Sequence, residues 1–144
     1  MNGNGEKSPA DLFKALSEDM RLRLLRVLEG TGFSVVELME VLDAPQSTIS
    51  RHLARLKEAG LIESRRQGAM VFYSRSRDES PFLRAILEAS WGRLPQLEAD
   101  REAAERVLWW RARLIHHLRH RPEGFSDGRQ LLAGRPYPAT LAKP

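Results

Sequence analysis

The sequence predicts a mainly α winged helix-turn-helix with a β-hairpin wing and a C-terminal helical dimerisation extension. Three observations lead there. Two amphipathic segments, residues 35–42 and 46–59, are separated only by Asp43-Ala44-Pro45, the short spacing of a helix-turn-helix. Two runs of strand-forming residues joined at Gln67-Gly68 follow at once, as a wing requires. A long periodic segment, about Gln96 to His120, then passes from acidic to basic, the charge order that complements a helix dipole.

Each element has a local reason. Ser8-Pro9-Ala10-Asp11 opens a first helix, with Ser8 as cap and Pro9 at the first helical position; Leu12, Phe13 and Leu16 form its apolar side. A second helix spans about Glu18 to Glu29, with Leu24, Leu25 and Leu28 inward and Arg21, Arg23 and Arg26 on outer positions. Ser34 and Glu37 make a capping box for the third, whose stripe is Val35, Leu38, Met39 and Leu42. Pro45 breaks it, because the residue before proline disfavours helix. In the fourth helix Ile49, Leu53 and Leu56 share one side, and Gly60 stops it. Strands over Leu61–Arg66 and Ala69–Arg75 form the hairpin. Ser80-Pro81 starts a fifth helix with Phe82, Leu83, Ile86, Leu87 and Trp91 on its apolar face, and Pro95 separates it from the last. The expected organisation is a flexible N-terminus (1–8), a winged helix-turn-helix domain (9–78), dimerisation helices (79–121) and a Pro/Gly-rich, poorly ordered tail (122–144).

Composition narrows the function. The chain has 144 residues, 42% hydrophobic and 29% charged, which suits one globular domain. No apolar run approaches the ~18–20 residues of a membrane span, and Met1–Lys7 lacks the apolar core of a secretory signal, so a cytoplasmic protein without a membrane partner is expected. There is no cysteine, which excludes disulfides, a thiolate nucleophile and Cys-based metal sites. Net charge is +4, and residues 45–76 alone carry that excess: Arg51, Arg55, Lys57, Arg65, Arg66 and Arg75 against Glu58 and Glu63. Such a local patch is the footprint of a polyanion.

The polar face of the fourth helix states what that polyanion is. Gln46, Ser47, Thr48, Ser50, Arg51, His52 and Arg55 are expected on the outer face, weighted to the N-terminal end. A recognition helix reads major-groove base edges with its N-terminal residues. Gln pairs with adenine, Arg with guanine, and hydroxyls serve base or phosphate. An ordinary solvated face is rich in Glu and Lys, yet no acid stands between Gln46 and Lys57. Arg65 and Arg66, with Gln67, are expected at the hairpin tip, where a wing follows the backbone or enters the minor groove.

These residues carry a resemblance. "LFKALSEDMRLRLLRVLEG" and "STISRHLARLKEAGLIESRRQGAMVFYS", within roughly residues 10–90, resemble the ArsR/SmtB family of winged-helix transcriptional repressors. The most specific pieces are Ser50-Arg51-His52-Leu53, Glu58-Ala59-Gly60-Leu61-Ile62 and Val71-Phe72-Tyr73-Ser74. The resemblance implies a homodimer that binds operator DNA, with contacts at Ser47, Thr48, Ser50, Arg51 and His52, and lets go when an inducer binds. Many members sense metals or arsenite through cysteines in the helix before the turn; that helix here has none, so the signal is not thiolate-held. "LEADREAAERVLWWRAR" is similar to the linker helix of members fused to an S-adenosylmethionine-dependent methyltransferase, without a methyltransferase after it in this sequence. The expectation is therefore a regulator of transcription with no cofactor.

Dimerisation is expected through Leu12, Phe13, Leu16, Leu83, Leu87, Trp91, Leu108 and Ile115, since the long C-terminal apolar stripe exceeds what a small winged helix covers alone. A two-fold dimer calls for a palindromic operator. A small-molecule inducer is possible, with a pocket between Trp91 and Trp109-Trp110 as one location. His116, His117 and His120 have i, i+3 and i, i+4 spacings that could hold a metal, but a wet helix C-terminus that favours imidazolium accounts for them as well, and no metal is assigned. A rival reading is a protein-interaction module built on the long C-terminal helix, with DNA binding vestigial. No acid/base pair or nucleophile constellation points to an enzyme.

Overall fold

The computed structural model of the chain describes residues 8–120. Its elements run α1 (Pro9–Ala15), α2 (Asp19–Val27), α3 (Val35–Leu42), α4 (Gln46–Glu58), β1 (Ile62–Gln67), β2 (Met70–Arg75), α5 (Pro81–Trp91) and α6 (Leu97–Arg119). The expected tail over 122–144 and all of the expected flexible N-terminus except Ser8 lie outside the described residues. Among the described residues no helix is long and apolar enough to cross a membrane.

The caps are where the local chemistry requires them. Ser8 accepts from the Asp11 N–H at 3.2 Å, and Ser80 accepts from the Leu83 N–H at 3.1 Å. Ser34 and Glu37 close both halves of the capping box, at 2.9 and 3.3 Å. Leu24 and Leu25 of α2 and its C-cap Leu28 meet Leu38 and Leu42 of α3 and Ile49, Leu53 and Leu56 of α4 in one core, all at or near zero exposure. Each such side chain contributes ~1.5–3 kcal/mol by leaving water.

Two arginines of α2 depart from the expected outer positions. Arg21 is 8% exposed, donating from Nε to the Ala15 carbonyl at 2.6 Å and from Nη2 to the Lys14 carbonyl at 3.0 Å. It thereby caps the C-terminus of α1. Arg23 makes two 2.8 Å bonds to the buried carboxylate of Asp100 on α6. The Ala15 carbonyl and the Asp100 carboxylate would otherwise be buried without these partners.

β1 and β2 pair antiparallel from Ile62↔Arg75 to Gln67↔Met70. The turn is Gly68-Ala69, one residue later than the sequence suggests, because Gly68 supplies the left-handed φ of 63° that closes a two-residue loop. Phe33 bridges to Tyr73 through two backbone bonds of 3.0 and 2.9 Å, fixing the hairpin to the α2–α3 loop.

α5 packs on α2, and α6 lies across α2 and α3. Leu83, Leu87 and Trp91 are buried, as is Leu16, and the Trp91 indole N–H donates to the Leu22 carbonyl at 2.9 Å. These four close the protomer's own core, which corrects their assignment to a dimer surface. Along α6, Ala103 and Val107 are buried and Arg111 half-buried, but the same face continues into Leu114 and Leu118, both exposed.

Candidate nucleic-acid interface

The turn between α3 and α4 sets the site. Asp43 takes the left-handed conformation (φ 48°, ψ 54°), and its N–H bonds back to the Met39 carbonyl. Asp tolerates this region better than most residues because its short polar side chain bonds locally. Pro45 is extended and precedes α4 directly, and no side chain caps α4. Thr48 and Ile49 donate their N–H groups to the Pro45 carbonyl at 3.1 Å, which leaves those of Gln46 and Ser47 open to an incoming acceptor.

α4 presents its polar residues as the sequence reading expects, with one exception. Gln46, Ser47, Ser50, Arg51 and Arg55 are exposed, and Thr48 is half-buried at the margin. Ala54 lies in the middle of this face and is exposed; its small side chain lets the helix backbone come close to whatever it faces. Arg51 and Arg66 have no carboxylate partner among the described residues, and Arg55 has only a loose contact to Glu58 at 3.9 Å. Lys57 donates to Ser64 Oγ at 2.6 Å, tying the end of α4 to the base of the wing.

The exception is His52, only 3% exposed. Its position answers to the helix period: Ile49, His52, Leu53 and Leu56 are an i, i+3, i+4, i+7 set. The imidazole therefore faces inward, where Nδ1 lies 3.4 Å from Arg21 Nη1 and Nε2 3.5 Å from Glu18 Oε2. A guanidinium only donates, so Nδ1 is the acceptor and the proton sits on Nε2, toward Glu18. Burial lowers the His52 pKa; Glu18 opposes this, and the charges of Arg21 and Arg51 add to it. His52 thus supports the recognition helix from behind instead of facing a duplex. Lys14, Ala15, Arg21 and His52 form one chain of bonds from α1 through α2 to α4.

The two wing arginines are exposed but separated. Arg65 is opposite Phe72 and Arg66 opposite Val71, and successive strand residues alternate faces. Neither is in the turn itself: the tip is Gln67 to Met70. Arg66 projects on one side, while Arg65 shares the other with Phe72 and lines a cleft against α6.

Of the remaining expected surface residues, Phe13 and Ile115 are exposed, and Leu12 and Leu108 are half-buried. Phe13 meets Phe82 edge-on, with ring centroids 6.2 Å apart, and both are half exposed. His116 and His120 stack with centroids 4.4 Å apart, and His120 Nδ1 lies 2.9 Å from the His116 carbonyl oxygen; the His117 side chain is outside the described residues. Among the described residues no three His, Asp or Glu side chains converge as metal ligands. The cleft beside Trp91 is lined by Leu108 rather than by Trp109 or Trp110, which face each other edge-on.

A helix-turn-helix with an exposed hydroxyl and guanidinium face, followed by a hairpin, defines a winged-helix nucleic-acid-binding protein. The helix-turn-helix domain family matches residues 16–65. The arsenical resistance operon repressor of Escherichia coli is 38% identical over 84 residues, covering 58% of this chain and 72% of that protein. The arsenic resistance transcriptional regulator ArsR2 of Pseudomonas putida is 35% identical over 94 residues, covering 65% and 82%. Among solved structures, HlyU from Vibrio cholerae is similar at 36% identity and a TM-score of 0.50, over 62% of this chain and 92% of that one. NolR from Sinorhizobium fredii is similar at 28% identity and a TM-score of 0.50, over 58% and 90%. The chain belongs to the ArsR/SmtB family of winged-helix transcriptional regulators. It is a DNA-binding regulator and not an enzyme.

Proposed function

We propose that the chain acts as a homodimeric repressor that binds a palindromic operator and is released by a signal that is not held by thiolates. The observation that carries this reading is the exposed face of α4. Gln46, Ser47, Ser50 and Arg51 stand free at its N-terminal end, with Thr48 beside them. In this reading Gln46 and Arg51 read base edges, while Ser47, Thr48 and Ser50 divide between bases and phosphates. Arg55, Arg65 and Arg66 meet phosphates on either side. His52 is no longer among the contacts.

Dimerisation is proposed through Phe13 and Phe82, adjacent and half exposed on α1 and α5, with Leu12 beside them. The apolar end of α6, where Ile115 is exposed and Leu108 half-buried, would add area in the same dimer. That same end is what a protein-interaction module would use, with Trp109, Leu114, Ile115 and Leu118 uncovered. The chain has no thiolate for a soft metalloid, whatever the names of its arsenic-resistance relatives.

Selection of bound sequences from a random DNA pool tests the proposal. A two-fold symmetric consensus with half-sites about one turn apart, or a multiple, is expected. Recovery of unenriched sequence would favour the interaction module.

A further inference from the structure

A broad cleft lies on the side of the wing away from Arg66. We propose that it is a binding site for a small organic anion with a flat apolar body, and that its occupancy weakens DNA binding. The second half rests on the DNA-binding reading above; the first does not.

The cleft encloses ~680 Å³ between the hairpin, the start of α5 and the end of α6, within the range of small-molecule sites. Phe72 and Ile115 give it apolar walls. Its charge is unbalanced. Five arginines line it against two glutamates, Glu29 and Glu79. Arg75 takes both carboxylates and Arg84 lies 3.4 Å from Glu79, so the acids are already engaged. Arg111 is held by Glu37 from behind the floor, through two bonds of 2.8 Å. Arg65 and Arg77 are left, one from the wing and one from the loop after it, both exposed and without a carboxylate among the described residues.

Beneath the cleft, closed to solvent, one buried donor is left short of an acceptor. Arg75 is nine-tenths buried, yet its Nη1 has no hydrogen-bond acceptor and lies 3.5 Å from Glu29. A buried donor left this way is uncommon. Two free guanidiniums at the rim of a partly apolar cleft match a carboxylate or sulfonate on an aromatic body. The sign of the coupling follows from Arg65. An anion that it holds neutralises one of the wing cations otherwise offered to phosphate, so occupancy and duplex binding oppose each other.

The test uses 1-naphthoate and its neutral counterpart 1-naphthalenemethanol, titrated calorimetrically into the full chain without DNA. Naphthoate is expected to bind about tenfold tighter or more than the alcohol. Arg77→Ala should weaken it about tenfold, and Arg65→Ala/Arg77→Ala should remove the preference over the alcohol. Both sites are exposed, so the variants should fold, which circular dichroism checks. Equal binding of acid and alcohol, or wild-type affinity in the double variant, overturns the site. Saturating naphthoate should then lower affinity for a selected duplex by about threefold or more, the range of modest coupling energies; an unchanged duplex affinity overturns the coupling. Should the chain bind no duplex at all, the DNA reading falls while the calorimetry still decides the site.

Discussion

Replacing Arg111 by alanine should destabilise the fold far more than removing a surface arginine would. Arg111 donates from Nε and Nη2 to the two oxygens of Glu37, and from Nη2 to the Gly32 carbonyl, all at 2.8 Å. Its guanidinium also lies 5.3 Å from the ring centroids of both Phe33 and Phe72. The Glu37 side chain is only 9% exposed, so Arg111→Ala leaves a carboxylate buried with one remaining partner, the Ser34 N–H. Breaking a fully buried pair costs ~3–5 kcal/mol. Arg111 keeps a quarter of its exposure and water can reach the gap, so ~2–4 kcal/mol is expected. Glu37→Gln/Arg111→Met removes both charges, keeps a capping side chain and retains the packing on the rings. It should recover at least ~1.5 kcal/mol of the single-variant loss. Urea unfolding of the wild type, Arg111→Ala, Glu37→Gln, Arg111→Met and the double measures this. A loss under ~1 kcal/mol for Arg111→Ala, or strict additivity in the double, would show that the pair is solvated and that α6 is not anchored to the helix-turn-helix through it.

Three further outcomes follow from the same geometry. His52 has a folded-state pKa below the usual 6.5, so its neutral form is favoured in the fold. Its contribution is present in full above 6.5 and is lost as pH falls from there through the folded value; the wild-type minus His52→Gln difference in urea midpoint should therefore shrink as pH falls from 7.5 to 5, and a difference constant over that range would contradict a neutral, buried His52. Arg51→Ala should cost ~1–3 kcal/mol on a selected duplex and relax one base position, whereas Arg66→Ala should weaken all duplexes alike and reduce the slope of log affinity against log salt by about one; competition titrations separate the two, and a uniform loss for Arg51 would move it to phosphate. Phe13→Ser/Phe82→Ser should shift the chain from dimer to monomer in sedimentation velocity while leaving its circular dichroism intact, and an unchanged dimer would locate the interface elsewhere, with the end of α6 the next surface to test.

How far the sequence carried the fold depended on whether the controlling force was local. Caps at Ser8, Ser34 and Ser80, the break before Pro45 and the pairing of β1 with β2 all follow from neighbours along the chain. Two of the three helix polar residues that depart from the expected outer face, Arg21 and His52, are legible as well. Arg21, Leu24, Leu25 and Leu28 repeat the i, i+3, i+4, i+7 spacing of Ile49, His52, Leu53 and Leu56. Reading only the apolar members sent Arg21 and His52 outward; the spacing places both inside, where they meet each other. Other features depend on packing between distant segments. Nothing near Glu37 announces Arg111, 74 residues away, or that Asp100 will neutralise Arg23. Trp91 reads equally well as core or interface until α2 is seen to accept its indole N–H. The split of Arg65 from Arg66 follows from strand alternation, but the cleft that Arg65 enters exists only because the end of α6, at Arg111 and Ile115, comes beside Phe72 of the hairpin.

Sequence-specific binding requires that α4 present a base-reading face. Fluorescence anisotropy of a labelled duplex taken from the pool selection, titrated with the intact chain at physiological salt beside a scrambled duplex of equal length, tests it most directly. The selected duplex should bind ~10³-fold tighter or more, with the advantage reduced by Arg51→Ala. Equal affinity for the two duplexes would mean that the chain holds nucleic acid by charge alone and that the exposed face of α4 reads nothing.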